Sequence, residues 1–213
     1  MPTHPKLVAF EVDNVIWTPP LDDKKFGNEG WVRGDLRENF ELVNPRMLRD
    51  VKNHANQIWM SNDIPKIIHD LLLNNVPIAI VSRNANKDLC DRALWHFKAQ
   101  NADNEWKPII GYVVYDEIFS GTASILQLPC WKHLLFSGIS LLAARKTIHF
   151  NNIYGYAKGS IAYSDMLFFD TFSLDDVYRD LGVTTYLPSN FDNGLSWNDY
   201  NAGLDLWRRN TGN

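Results

Sequence analysis

The run Leu7-Val8-Ala9-Phe10-Glu11-Val12-Asp13-Asn14-Val15-Ile16-Trp17 constrains the fold more than any other stretch of the chain. Its four leading apolar residues show no polar alternation, so they read as a strand buried on both faces. Glu11 and Asp13 follow two residues apart and point to the same side if the strand continues through them. Two carboxylates at the end of a buried strand are costly without a partner. They need a metal, a cation or a shared proton, and the rest of the chain has to bring it.

Residues 77–81 and 166–169 are further apolar runs, and 183–187 reads as a fourth strand. Between them the spacing predicts helices over 64–72, 86–99, 145–154, 173–181 and 197–209. Ser61-Asn62-Asp63 offers an N-cap to the first, and Ser173 to the fourth. Asp175 and Asp176 read as charges in that helix's first turn. Strands alternating with helices predict an α/β fold, a Rossmann-like parallel sheet with helices on both faces. In such sheets ligands bind outside the C-terminal strand ends. The polar residues there are Glu11 and Asp13, Ser82 with Arg83, and Asp170.

Two stretches fit this scheme less well. Residues 18–62 carry Pro19-Pro20, Gly27, Gly30, Gly34 and Pro45 and no sustained period. They read as a small cap or flap over the first strand's end, with a short strand at 40–43 and a short helix at 45–52. Residues 101–131 look like an insertion in which 111–119 suits strand or helix, 121–129 is ambiguous, and a short strand at 132–137 follows. Its aromatics Trp106, Tyr112, Tyr115, Phe119 and Trp131, with Phe136, either line a pocket or form extra core.

At 213 residues the chain suits one domain with a sizeable core. A net charge of −4 argues against a general nucleic-acid partner. Cys90 and Cys130 form no C-x-x-C pair and have no His at metal-ligand spacing, as expected of a reduced intracellular protein. No apolar stretch approaches transmembrane length, and 1–6 hold no long apolar run. The expectation is a cytoplasmic protein acting on a small molecule, with no membrane partner.

Four elements in order carry a family resemblance: a strand ending in a carboxylate pair, a strand ending in Ser, a helix bearing Lys, and a strand ending in Asp. The chain resembles the haloacid dehalogenase (HAD) superfamily, and within it the small magnesium-dependent acid phosphatases. Residues 7–17 are similar to their D-x-D-x-T-L-W strand, and 76–84 to their G-V-P-x-A-x-x-S-R. Lys146-Thr147-Ile148-His149-Phe150 is similar to K-x-x-H-F, and 166–170 with 176–177 and 181–184 to M-x-F-F-D-D … D-V … L-G-V-T. The resemblance implies a nucleophile at position 11 and an acid/base at Asp13. It implies phosphate binding by Ser82, Arg83 and Lys146, and a Mg²⁺ site from Glu11, Asp13 and Asp170.

The sequence departs from that pattern at sensitive places. Position 11 is Glu, one methylene longer than Asp. A shift of about 1 Å at the reactive oxygen can cost on the order of a hundredfold in rate. Val15 replaces a Thr, Thr171 replaces a second Asp, and the lysine is approached through Leu142-Ala143-Ala144-Arg145. The expected metal site is therefore weakened, although Mg²⁺ often needs only one or two carboxylates plus water and phosphate. Single residues keep bland alternatives. Ser82 reads equally as an N-cap and Lys146 as a surface lysine, Arg83 reads as exposed, His149 as a packed side chain and Asp13 alternatively as a loop cap, while Asp170 reads as a metal ligand or a partner of Lys146.

Three functions fit these residues. The first is a divergent, phosphatase-derived enzyme using Glu11 and Asp13 as an acid/base pair. Its substrate would be small and largely apolar, its reaction an isomerisation, cyclisation or elimination. The pair would share a proton, raising the pKa of one member. The second is a Mg²⁺-dependent phosphomonoester phosphatase that tolerates Glu11. The third is a non-catalytic binding module on a phosphatase scaffold.

Overall fold

A computed structural model describes residues 3–22, 25–26, 39–84, 86–118, 145–172 and 176–212. The elements are β1 (Leu7–Phe10), β2 (Trp17–Thr18), β3 (Phe40–Asn44), β4 (Met47–Asp50), β5 (Gln57–Met60), α1 (Ile64–Leu73), β6 (Ile78–Ser82) and α2 (Lys87–His96). They continue with β7 (Lys98–Gln100), β8 (Trp106–Pro108), β9 (Val113–Ile118), α3 (Lys146–Tyr156), β10 (Met166–Phe169), α4 (Asp176–Leu181), β11 (Thr184–Tyr186) and α5 (Trp197–Thr211).

Five of these strands form a parallel sheet in the order β11-β10-β1-β6-β9. Their unbroken apolar runs follow from burial on both faces. Val8 and Phe10 enter one core with Ile78, Ile80, Leu167 and Phe169. Leu7 and Ala9 enter a second with Ala79, Val81, Met166 and Phe168. Residues of α1, α2 and α5 cover the first core, and residues of α3 and α4 the second. Strand β1 is central, and the chain builds outward to β6 and β9 before crossing back to β10. That reversal beside β1 opens a crevice above its C-terminal end.

A second sheet, β2-β5-β4-β3, is antiparallel and lies between residues 17 and 60. The β2–β5 pairing is extended by one further bond, from Ser61 N to Ile16 O at 2.9 Å. The helix expected over 45–52 is a strand instead. Asn44 Oδ1 accepts from Arg46 N in a tight turn, and β4 then pairs with both β3 and β5. Local helical spacing gives way to two sets of strand bonds.

Other expectations shift in detail. The second helix stops at His96, because residues 98–100 pair with β8. The ambiguous stretch 111–119 is strand β9 over 113–118, the edge of the main sheet, with Ser82 opposite Ile118. Of the stretch expected as an insertion, 113–118 thus pairs with β6 in the main sheet. Asp63 precedes α1 without capping it and instead accepts from Trp197 N at 2.8 Å. Helix α5 opens with a capping box from Ser196 and Asp199. The expectations for 121–129, 132–137, Phe119, Cys130, Trp131, Phe136, Ser173 and Asp175 lie outside the described residues.

Gly203 of α5 lies against the ring of Phe169, where an added Cβ would come within 2.6 Å of a ring carbon. Phe169 is itself wedged against Phe10, with ring centroids 5.6 Å apart. Gly203→Ala should therefore lower stability by about 1–3 kcal/mol despite its better helix propensity. Urea unfolding checks this, through a lowered midpoint at constant slope.

Candidate active site

Helix α3 begins at Lys146, which is only 4% exposed. Its ammonium donates to Glu11 Oε2 at 2.7 Å and to Asp170 Oδ1 at 2.5 Å. Glu11 and Asp170 stand one residue past the adjacent parallel strands β1 and β10. The register Phe10 opposite Phe169 brings both carboxylates to one level. Asp170 Oδ1 also accepts from Thr171 N at 2.7 Å and Phe172 N at 3.3 Å. Burial raises the Asp170 pKa, Lys146 opposes that, and the Glu11 charge adds to the rise.

The Glu11 carboxylate is held on both sides. The side chain folds back so that Oε1 accepts from Val12 N at 2.9 Å, while Oε2 meets the lysine. Both oxygens are engaged.

Asp13 is held by a different set of donors. Its Oδ1 accepts from Trp17 Nε1 at 2.9 Å and Leu21 N at 2.8 Å, and its Oδ2 from Asn84 Nδ2 at 2.9 Å. Asn14 takes a positive φ of 59°, and the chain doubles back so that the indole can reach the carboxylate. Burial raises the Asp13 pKa most. Glu11 adds to the rise, and the bonds from Leu21, Asn84 and Trp17 oppose it. One member of the pair thus has a raised pKa, but no direct hydrogen bond joins Glu11 to Asp13 among the described residues.

Ser82 is buried at the end of β6, and its Oγ accepts from Asn84 N at 3.0 Å. The N-cap of α2 is Asn86, which accepts from Leu89 N, so the capping alternative for Ser82 falls away. Arg83 lies over Phe172, 4.9 Å from its ring centroid, and spans the loops after β6 and β10. His149 packs on α3 with Nδ1 3.3 Å from Glu117 Oε2, and its Nε2 is buried without a hydrogen bond among the described residues. Cys90 is buried as well. Burial first, then the charges of Asp13 and Glu11, push its thiol pKa well up, leaving a poor nucleophile.

The structure thus gathers Glu11, Lys146 and Asp170 directly, sets Asp13 beside them, and ties Ser82 to Asp13 through Asn84. Arg83 stands on the aromatic loop and makes no ion pair among the described residues. Asn84, Trp17 and Leu21 escaped the sequence reading. Only the position of Asn84, two residues after Ser82 at a strand end, hinted at a role.

The donor chemistry bears on magnesium. Among the described residues no group of three His, Cys, Asp or Glu side chains is arranged to hold a metal. Both Asp13 oxygens are engaged by nitrogen donors, so its side chain is a poor candidate ligand. Thr171 offers no carboxylate. Glu11 and Asp170 remain, and Asp170 Oδ2 takes no hydrogen bond among the described residues. Two hard carboxylates suit a magnesium ion that fills its shell with water and phosphate oxygens.

A parallel α/β sheet with strand-end carboxylates facing a buried lysine is phosphatase-like in the HAD manner. Consistent with this, a family model described as Acid Phosphatase matches residues 3–127 and 130–210. The chain belongs to that family. No curated protein matches it. No helix among the described residues is long and apolar enough to cross a membrane.

The raised Asp13 pKa carries a stability consequence. Between the ordinary value of 3.8 and the raised one, the folded state holds more protons than the unfolded state. Stability from this group is therefore present at low pH and lost as pH rises through the folded pKa. Asp13→Asn removes that loss. The stability of the variant relative to the natural chain should improve from pH 3.8 upward, as read from denaturant midpoints across pH.

Proposed function

We propose that this chain hydrolyses phosphate monoesters at the Glu11–Asp13–Lys146–Asp170 cluster. The observation that carries the reading is the buried Lys146 ammonium between the Glu11 and Asp170 carboxylates, with a separately held Asp13 of raised pKa beside them. Membership of the acid phosphatase family supports the same chemistry.

In this reading the incoming phosphate takes the ammonium as its counter-charge and releases Glu11 Oε2. A Glu11 oxygen then forms a bond to phosphorus while the bond to the leaving oxygen breaks. Asp13 gives that oxygen its proton, the task a carboxyl of raised pKa suits. Asp13, now ionised, takes a proton from water as the water oxygen attacks phosphorus, and inorganic phosphate leaves with Glu11 restored. Ser82 and Arg83 bind the phosphate oxygens in this reading. A magnesium ion held by Glu11 and Asp170 would neutralise charge on those oxygens.

The acid/base reading on an apolar substrate draws less support. It calls for a proton shared between Glu11 and Asp13, and each has its own donors instead. A non-catalytic binding role has one observation in its favour: all four oxygens of Glu11 and Asp13 are already engaged within the protein.

Hydrolysis of an aryl phosphate in the presence of Mg²⁺ tests the proposal. Asp13→Asn should lower kcat about a hundredfold or more. Glu11→Asp, which shortens the nucleophile, should raise it. Absence of turnover above buffer in both the natural chain and Glu11→Asp overturns the proposal. Retained binding of inorganic phosphate in that case supports the non-catalytic role.

A further inference from the structure

A cavity of about 730 Å³ shares no residue with the strand-end cluster. It opens between the antiparallel sheet, helix α1 and the β7–β8 hairpin. Leu42, Pro45, Met60, Pro65 and Trp106 give it an apolar lining. Leu42 and Trp106 remain 41% and 57% exposed, large apolar groups facing a concavity. Its volume falls in the range of small-molecule sites, and its mix of apolar wall and few polar groups is typical of them.

The charges around it have one sign. Arg46, Lys66 and Lys98 line the cavity, and among the described residues no Asp or Glu does. None of the three forms an ion pair with a described carboxylate. Lys66 instead sits 3.8 Å from the centroid of Trp197. His69 and His96 also line it. On a chain of net charge −4, three cationic residues lining one apolar hollow, with no ion-pair partner among the described residues, suit an anion.

We propose that this cavity binds a small organic anion with a flat apolar body, an aryl carboxylate or a compound of like shape. The ring would lie against Trp106 and Leu42, and the anionic group would face Lys66, Lys98 and Arg46. The concavity favours a compact ligand over the broad surface of a macromolecule. The site is independent of the phosphate-ester reading, since it uses none of the same side chains.

Titration calorimetry with 2-naphthoate, and with uncharged 2-naphthol as the control, tests it on the full chain. Saturable 1:1 binding of the naphthoate is expected, with 2-naphthol at least about tenfold weaker. Lys66→Gln with Lys98→Gln should weaken binding about tenfold or more, and so should Trp106→Ala. Lys66→Arg with Lys98→Arg keeps the charge and should retain binding, which separates lost charge from lost fold. Asp13→Asn should leave the affinity within about twofold. Equal affinity for 2-naphthol, indifference to the double Gln variant, or loss of binding in Asp13→Asn overturns the proposal.

Discussion

The ammonium of Lys146 between Glu11 and Asp170 is the interaction on which the upper end of the sheet depends. Two carboxylates at the ends of neighbouring buried strands would repel each other and lose their hydration. A single buried cation within 2.7 Å of one and 2.5 Å of the other offsets both effects. Removing the lysine would leave two buried negative charges, a far larger penalty than the net worth of the bridge. The bridge also holds the first turn of α3 against β1 and β10. The same three groups thus serve the fold and the site, and the site cannot change without the fold registering it.

Around this anchor the two cores play distinct parts. Alternate residues of β1 enter opposite faces, so one strand ties both cores together and fixes the level at which its carboxylates emerge. Asp170 arrives at that level because β10 is paired in register with β1. Asn84 arrives from β6 on the other side and closes the set of donors to Asp13. Three parallel strands of matched register bring into one crevice residues as distant in the chain as Glu11 and Asp170.

How far the sequence revealed this depends on where the information lay. The strands β1, β6 and β10 were legible because burial on both faces leaves uninterrupted apolar runs. Glu11, Asp13, Ser82 and Asp170 were legible as polar residues at the ends of such runs. Strand β4 was not, since Pro45 and the mixed polarity that follows satisfy a helical spacing as well as a hairpin, and only pairing with β3 and β5 decides between them. Strand β9 was hidden by its place at the sheet edge, where Val114 can stay exposed and the apolar run is broken. The partners of Asp13 were beyond sequence reasoning. Trp17 and Leu21 reach it through a backbone turned back at Asn14, and a residue's neighbours in space across such a turn leave no periodic trace.

One of those partners links the two sheets in an unexpected way. The indole of Trp17 both begins the antiparallel sheet at β2 and donates to Asp13. A displacement of β2 that breaks this bond removes a donor that favours the ionised carboxylate, and the proton on Asp13 is then held more tightly. The position of the smaller sheet is thereby written into the acidity of a single side chain.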